Sequence, residues 1–309
     1  MSLEIAMYDA FTAKVRGGNR AAVVFGLELE SERIMQSIAS SSGAPVTVFV
    51  GFSEQLFDDE ATLPLRLRFF TPHTEENVCG YGTIAALEAL HQRGGGLNGF
   101  QFPNGAFNLE TNLGFQRAEY LDGRAWLEYG DVPAHNLEEG LPSDVFPHAS
   151  VLREEVAIAL GLELDDLHED LPVMFAGVGR PQLVCAVPNT MYLDSIEPDF
   201  EAIKTLCLET DTTGLVAFTF PGRGGCFTDT RHFSVQGAAV LEDAATGNAH
   251  AALAAYLCTN KFFDDGKRSF SGAQGYAFGK SSRLEVRLTA LQNEARDVWV
   301  GGRAIEVKP

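Results

Sequence analysis

Two short stretches carry the residue types best suited to moving protons. In one, Cys79 precedes Gly80, Tyr81 and Gly82 at the start of an Ala/Leu-rich run. In the other, Glu242-Asp243 precedes Thr246-Gly247-Asn248 at the start of a second such run, which also carries His250. The first N–H groups of a helix have no partner within it, and with the helix dipole they attract an anion. Glycine lets a ligand approach that backbone closely. Two helix starts aimed at one cleft would hold a substrate carboxylate through the N–H groups of Gly80, Tyr81, Gly247 and Asn248 and stabilise an enolate-like anion. A thiol just ahead of a helix has its pKa lowered, which opens the role of base or nucleophile to Cys79. Thr246 cannot be a base alone, but its hydroxyl can bond a leaving hydroxyl or a carboxylate. Asp243, or Glu242 beside it, becomes a general acid or base when partly desolvated. Plainer readings exist for each: Cys79 as a small core residue, Asp243 and Thr246 as helix caps, His250 in a polar network, and His73 as surface.

The elements that must position these residues form a weak internal repeat. The first copy is RFFTPHTEENVCGYGTIAALEAL from Arg68, and the second is RHFSVQGAAVLEDAATGNAHAALAAYL from Arg231. Each runs from Arg-x-Phe at a strand end through a polar loop and a small-residue turn into an Ala/Leu helix. Aligning the helices pairs Cys79-Gly80 with Thr246-Gly247. The helices, predicted over Gly80–His91 and Gly247–Leu257, lack a polar face, which marks them as buried. Alternation and β-branching predict strands over Glu4–Asp9, Ala21–Phe25, Val46–Val50, Leu65–Phe70, Leu183–Val187, Leu215–Phe220, Arg283–Leu288, Val298–Val300 and Ala304–Val307. Further helices are predicted over Ser31–Ser40, Val151–Leu160 and Phe200–Cys207, and a linker over Leu137–Pro147. The repeat implies an α/β (α+β) chain of two similar lobes, residues 1–120 and residues 121–284.

Composition bounds the partners. The 309 residues carry a formal net charge of −19, a field that repels nucleic acid and anionic lipid. The cysteines (Cys79, Cys185, Cys207, Cys226 and Cys258) are odd in number and show no CxxC spacing or zinc-ligand cluster with histidine. No metal is expected, and a reduced, cytoplasmic setting is the simple reading. The N-terminus lacks a basic region followed by an apolar one, so no signal peptide is expected there, and no apolar run has the length of a membrane span.

Four ordered segments carry a family resemblance. DAFTAKVRGGNRAAVVF (Asp9–Phe25) is similar to a DAFT…GNPAAVV opening, with Arg20 at the usual proline. FTPHTEENVCGYGT (Phe70–Thr83) is similar to FTP…E…CGHAT, with Glu75 and Cys79 in place and Tyr81 at the histidine. EDAATGNAHAAL (Glu242–Leu253) resembles EDPVTGSAHCAL, and QGYAFGKSSRLEV (Gln274–Val286) resembles a late QG…GR segment. The pattern is that of the PhzF-like phenazine-biosynthesis family, whose fold is shared with diaminopimelate epimerase and proline racemase. The resemblance implies lobes built as barrel-like sheets, each wrapped around one central helix, and a cofactor-independent isomerase that moves protons on a small carboxylate metabolite. It also implies a homodimer, and a return of the chain's end, the strands from 285–309, to the first lobe. Asp243 would be catalytic, with Cys79 and Thr246 as further catalytic candidates. Asn19, Glu75, Gly80, Tyr81, Gly247, Asn248, His250 and Gln274 would bind substrate. PVTVFV (Pro45–Val50) puts Val46 where these isomerases carry a catalytic glutamate. Two other functions fit the same fold: an amino-acid racemase, epimerase or hydroxyproline-type dehydratase using Cys79 with Thr246, and a non-catalytic relative that binds a metabolite.

Overall fold

A computed structural model describes residues 4–25, 31–53, 65–94, 96–97, 100–101, 105–136, 149–237 and 239–308. The chain divides into two compact units, Met1–Glu128 with Gly301–Pro309, and Tyr129–Val300. The division falls at 128/129 and 300/301, away from the expected 120/121 and 284/285. The reason is pairing: Ser282–Leu291 is bonded along its length to Gly266–Gln274, which keeps it in the second unit. The expected linker over 137–147 lies outside the described residues.

In the first unit, Glu4–Ala10 pairs antiparallel with Asn19–Phe25. The latter runs parallel to Val46–Phe52, which pairs antiparallel with Leu65–Phe70. A short return strand, Glu75–Glu76, lies antiparallel to Leu65–Phe70. Leu65–Phe70 is parallel on its other side to Ala106–Thr111, and Gly114–Leu121 closes the series.

The second unit repeats this order. Met174–Ala176 pairs antiparallel with Gln182–Ala186, which is parallel to Gly214–Thr219. That strand is antiparallel to Thr228–Gln236, which carries the return strand Ala239–Asp243 and runs parallel to Gly266–Gln274. The sequence repeat is therefore a repeat of strand order, with hydrogen bonds following the same sense in both copies.

Each unit holds one buried helix of 13 residues, Gly80–Gln92 and Gly247–Thr259. Gly82 through Leu90 are buried in the first, and Ala249 through Cys258 in the second. Small side chains allow this closeness. A β-carbon on Gly82 would stand 2.8 Å from Val48 Cγ2 and 3.2 Å from Phe69 Cδ1. Surrounding a helix with strands on every side leaves no place for a polar face, so the composition of both helices follows from their position.

Most expected elements form with small shifts of their ends. Ala149–Ala159 and Phe200–Glu209 are the later helices. The helix Thr190–Ser195 and the strand Gly266–Gln274 were not anticipated. The helix follows an Asn189 cap, whose side chain accepts from the Met191 and Tyr192 N–H groups. The strand GKRSFSGAQ is glycine- and serine-rich and takes its form from neighbours on both sides. No helix among the described residues is long and apolar enough to cross a membrane.

Candidate active site

Thr246 is the N-cap of the second buried helix, with φ −127° and ψ 111°, yet its side chain makes no capping bond. Its hydroxyl turns away from the helix and donates to Asp243 Oδ2 at 2.8 Å. Asp243 Oδ1 accepts from the Ala245 N–H at 3.2 Å. The N–H groups of Gly247, Asn248 and Ala249 precede the first helical bond, His250 N–H to Thr246 O. They form the helix start at which an anion would be held. Gly247 has no room for a side chain: a β-carbon there would lie 2.4 Å from the Tyr129 hydroxyl.

Gln274 fixes the turn from below. The Thr246 N–H donates to Gln274 Oε1 at 3.1 Å, which sets the orientation of the amide. Its Nε2 then donates to Asp243 O at 2.7 Å and to Thr246 Oγ1 at 3.1 Å. Ser282 ties the same turn to the sheet, donating from Oγ to Ala244 O at 2.7 Å. His250 joins from inside the helix, its Nδ1 3.0 Å from Thr246 O. Gln274 and His250 are both fully buried. Their bonds hold the turn in shape. Burial lowers the His250 pKa to about 4, so the ring is neutral.

A residue absent from the sequence reading completes the turn. His232 stands directly across from Asp243 in the strand pair, with Nδ1 3.0 Å from Thr246 Oγ1. Burial, partly opposed by Asp243, lowers its pKa to about 4. A signal existed in the repeat, where RHF stands over RFF and a polar residue occupies the place of Phe69. Tyr129, against Gly247, lies far from any motif and carried no such signal.

The first unit builds the same turn with other groups. Cys79 is the N-cap of its helix, with φ −144° and ψ 108°, again without a side-chain capping bond. The Thr83 N–H and hydroxyl both donate to Cys79 O at 2.9 Å. Cys79 is 9% exposed, and its Sγ would lie 3.3 Å from a β-carbon on Gly82. Tyr81 sits partly exposed on the first helical turn. Asn19 opens a strand and pairs with Ala10. Arg20, at the usual proline of the opening motif, is paired with buried Asp9 at 2.8 Å. Val46 is 5% exposed and paired with Ala21, so a buried aliphatic stands at that position.

Glu75 is held by Arg68 through two bonds, Nε to Oε1 at 2.8 Å and Nη2 to Oε2 at 2.6 Å. The Asn112 amide adds a third at 2.9 Å. The Arg68 guanidinium keeps the Glu75 carboxyl below its ordinary range. Arg231 grips Glu242 in the same manner, with both bonds at 2.8 Å. Glu75 and Glu242 thus brace the turns ahead of the two helices through matching arginine pairs. The other four cysteines are buried thiols; burial pushes Cys185 up to about 12 and Cys258 up to about 11. Among the described residues, no group of three or more His, Cys, Asp or Glu side chains could hold a metal ion.

The sequence and fold have counterparts among known proteins. Residues 8–308 match the family described as phenazine biosynthesis-like protein, PhzC-PhzF. The chain is 28% identical to the uncharacterized isomerase YddE of Escherichia coli K12, over 99% of this chain and 96% of that protein. An uncharacterized isomerase of Deinococcus radiodurans is 31% identical over 96% of this chain and 90% of its own length. The crystal structure of a Bacillus anthracis phenazine biosynthesis protein of the PhzF family superposes with a TM-score of 0.79 at 25% identity, covering 100% of this chain and 98% of that one. With its motifs in order and its strand order repeated in both units, the chain belongs to the PhzF-like, phenazine biosynthesis-like family of isomerases.

Proposed function

We propose that the protein catalyses a cofactor-independent isomerisation of a small carboxylate metabolite, with Asp243 taking up and returning the proton. One observation carries this reading. The Thr246 hydroxyl is committed to Asp243 Oδ2 at 2.8 Å rather than to its own helix. Helix N–H groups at Gly247 and Asn248 are thereby left to a substrate carboxylate, beside a carboxylate that can move a proton. Val46 supplies no acid or base, so the work passes to Asp243. A homodimer, as the family resemblance implies, completes the proposal.

The test is deuterium exchange. A panel of 2-amino, 2-hydroxy and cyclic unsaturated acids is incubated with the protein in D₂O, and the carbon next to the carboxylate is followed by NMR. At least one acid is expected to exchange, and Asp243→Asn is expected to slow it by about 10²- to 10⁴-fold. Full exchange by that variant would remove Asp243 from the mechanism. Tight binding of an acid without exchange of any would make the chain a metabolite-binding relative.

The matching backbone of Cys79 and Thr246 at their helix caps favours a second reading. Here Cys79 is the base of an amino-acid racemase, epimerase or hydroxyproline-type dehydratase, and Thr246 assists departure of a hydroxyl. In that case Cys79→Ala abolishes exchange, and dehydration alone expels water to leave an enamine, which tautomerises to an imine and gives a keto acid on hydrolysis.

A further inference from the structure

We infer that His232 is a positioning residue for the Asp243–Thr246 pair, donating from Nδ1–H to the Thr246 oxygen and so holding the hydroxyl proton on Asp243. The inference rests on the reading of Asp243 given above. A hydroxyl has one proton and two lone pairs. The Thr246 proton goes to Asp243 Oδ2, and one lone pair accepts from Gln274 Nε2. The remaining contact, His232 Nδ1 at 3.0 Å, must then be a donor. That assigns the Nδ1–H tautomer and leaves Nε2 a bare acceptor.

The surroundings of Nε2 agree. It is buried and has no hydrogen-bond partner. It faces the backbone at Gly214, where an added β-carbon would lie 2.9 Å away. A protonated Nε2 there would bury an unpaired N–H or a full positive charge; a bare lone pair is the form this site tolerates at least cost. The titratable groups that act on the ring are Asp243, across the strand pair, and His250, which is itself neutral.

The first unit supplies the contrast. Its equivalent strand position is Phe69, opposite Glu76 as His232 is opposite Asp243. A phenyl ring fills the space and satisfies every packing need. Placing an imidazole in the second unit buries a polar atom without a partner, a cost that packing does not require. The gain is one donor aimed at Thr246.

Two measurements on the full chain test this. Long-range ¹H–¹⁵N spectra of the labelled protein should assign His232 as the Nδ1–H tautomer, neutral at pH 6; an Nε2–H tautomer or an imidazolium would overturn the inference. In the exchange assay, His232→Phe should lower kcat by about tenfold or more with KM held within about twofold, and His232→Asn, which restores an N–H near the Nδ1 position, should recover most of it. His232→Phe should at the same time equal or exceed the parent in thermal stability, because it removes a buried unpaired atom at similar volume. Unchanged kcat in a folded His232→Phe protein would reduce His232 to packing and overturn the inference. If no acid exchanges, the proposed reaction fails while the tautomer still decides how His232 meets Thr246.

Discussion

The two units make the same turn ahead of the same length of buried helix, and they differ in what fills it. Arg68 and Arg231 each grip a glutamate, each lies over the phenylalanine two residues on, and each brace precedes the cap by four positions. Around that shared frame the first unit places Phe69, Glu76 and Cys79 where the second places His232, Asp243 and Thr246. Glu76 is exposed, whereas Asp243 is half-buried and bonded to its turn. The frame is a folding device used twice, and the second unit sets within it the network of His232, Asp243, Thr246 and Gln274. Shared residues of a repeat therefore report on architecture, and chemistry is better sought where the copies disagree.

The largest test of this comparison is catalytic. Glu76→Gln should leave exchange within about threefold of the parent, whereas Asp243→Asn should cost at least about a hundredfold. Equal losses would mean that both turns act in the chemistry. Stability sharpens it next. Arg231 donates to Glu242 and also to Leu193 O and Ile196 O, at 3.3 and 2.8 Å. Arg231→Met strands a half-buried carboxylate and those carbonyls, and should cost about 3 kcal/mol. Arg68→Met should cost nearer 2 kcal/mol, because Asn112 still bonds Glu75. Urea unfolding followed by segment-resolved hydrogen exchange would read both.

The smallest effect is acid sensitivity. Among the described residues the buried histidines, His232 and His250, both lie in the second unit. Each has a folded pKa of about 4 against an ordinary 6.5, so the unfolded chain binds the proton more tightly. Their contribution to stability is complete above pH 6.5 and is lost as the pH falls from there toward 4. Asp229 works the other way: burial raises it from 3.8 to about 6, so its proton favours the folded form over much of that window. The net effect is about one proton, or roughly 1.4 kcal/mol per pH unit. Hydrogen exchange at pH 5 and 7 should find protection falling in the second unit before the first, and His232→Phe should flatten the change. Equal loss in both units would place the acid-sensitive groups elsewhere.

Much of this was legible before any coordinates. The Arg-x-Phe repeat gave the two-lobed plan, because a strand, a polar return and a helix without a polar face can bury that helix only by surrounding it. The Glu-Asp…Thr-Gly spacing brought Asp243 and Thr246 together, because three residues of a tight turn leave their side chains within bonding reach. Local spacing did not show that Glu75 and Glu242 are braced, since their partners Arg68 and Arg231 reach them only through strand pairing. Nor did it place Gln274, which is 28 residues from Thr246 and meets it through the sheet. His232 was out of reach for the same reason: its role depends on lying across from Asp243, on the notch at Gly214, and on burial that keeps its ring neutral. Sequence determined the frame and the residues on its turns. Tertiary structure decided which side chains are braces and which hold the turn, because long-range pairing and desolvation set those assignments.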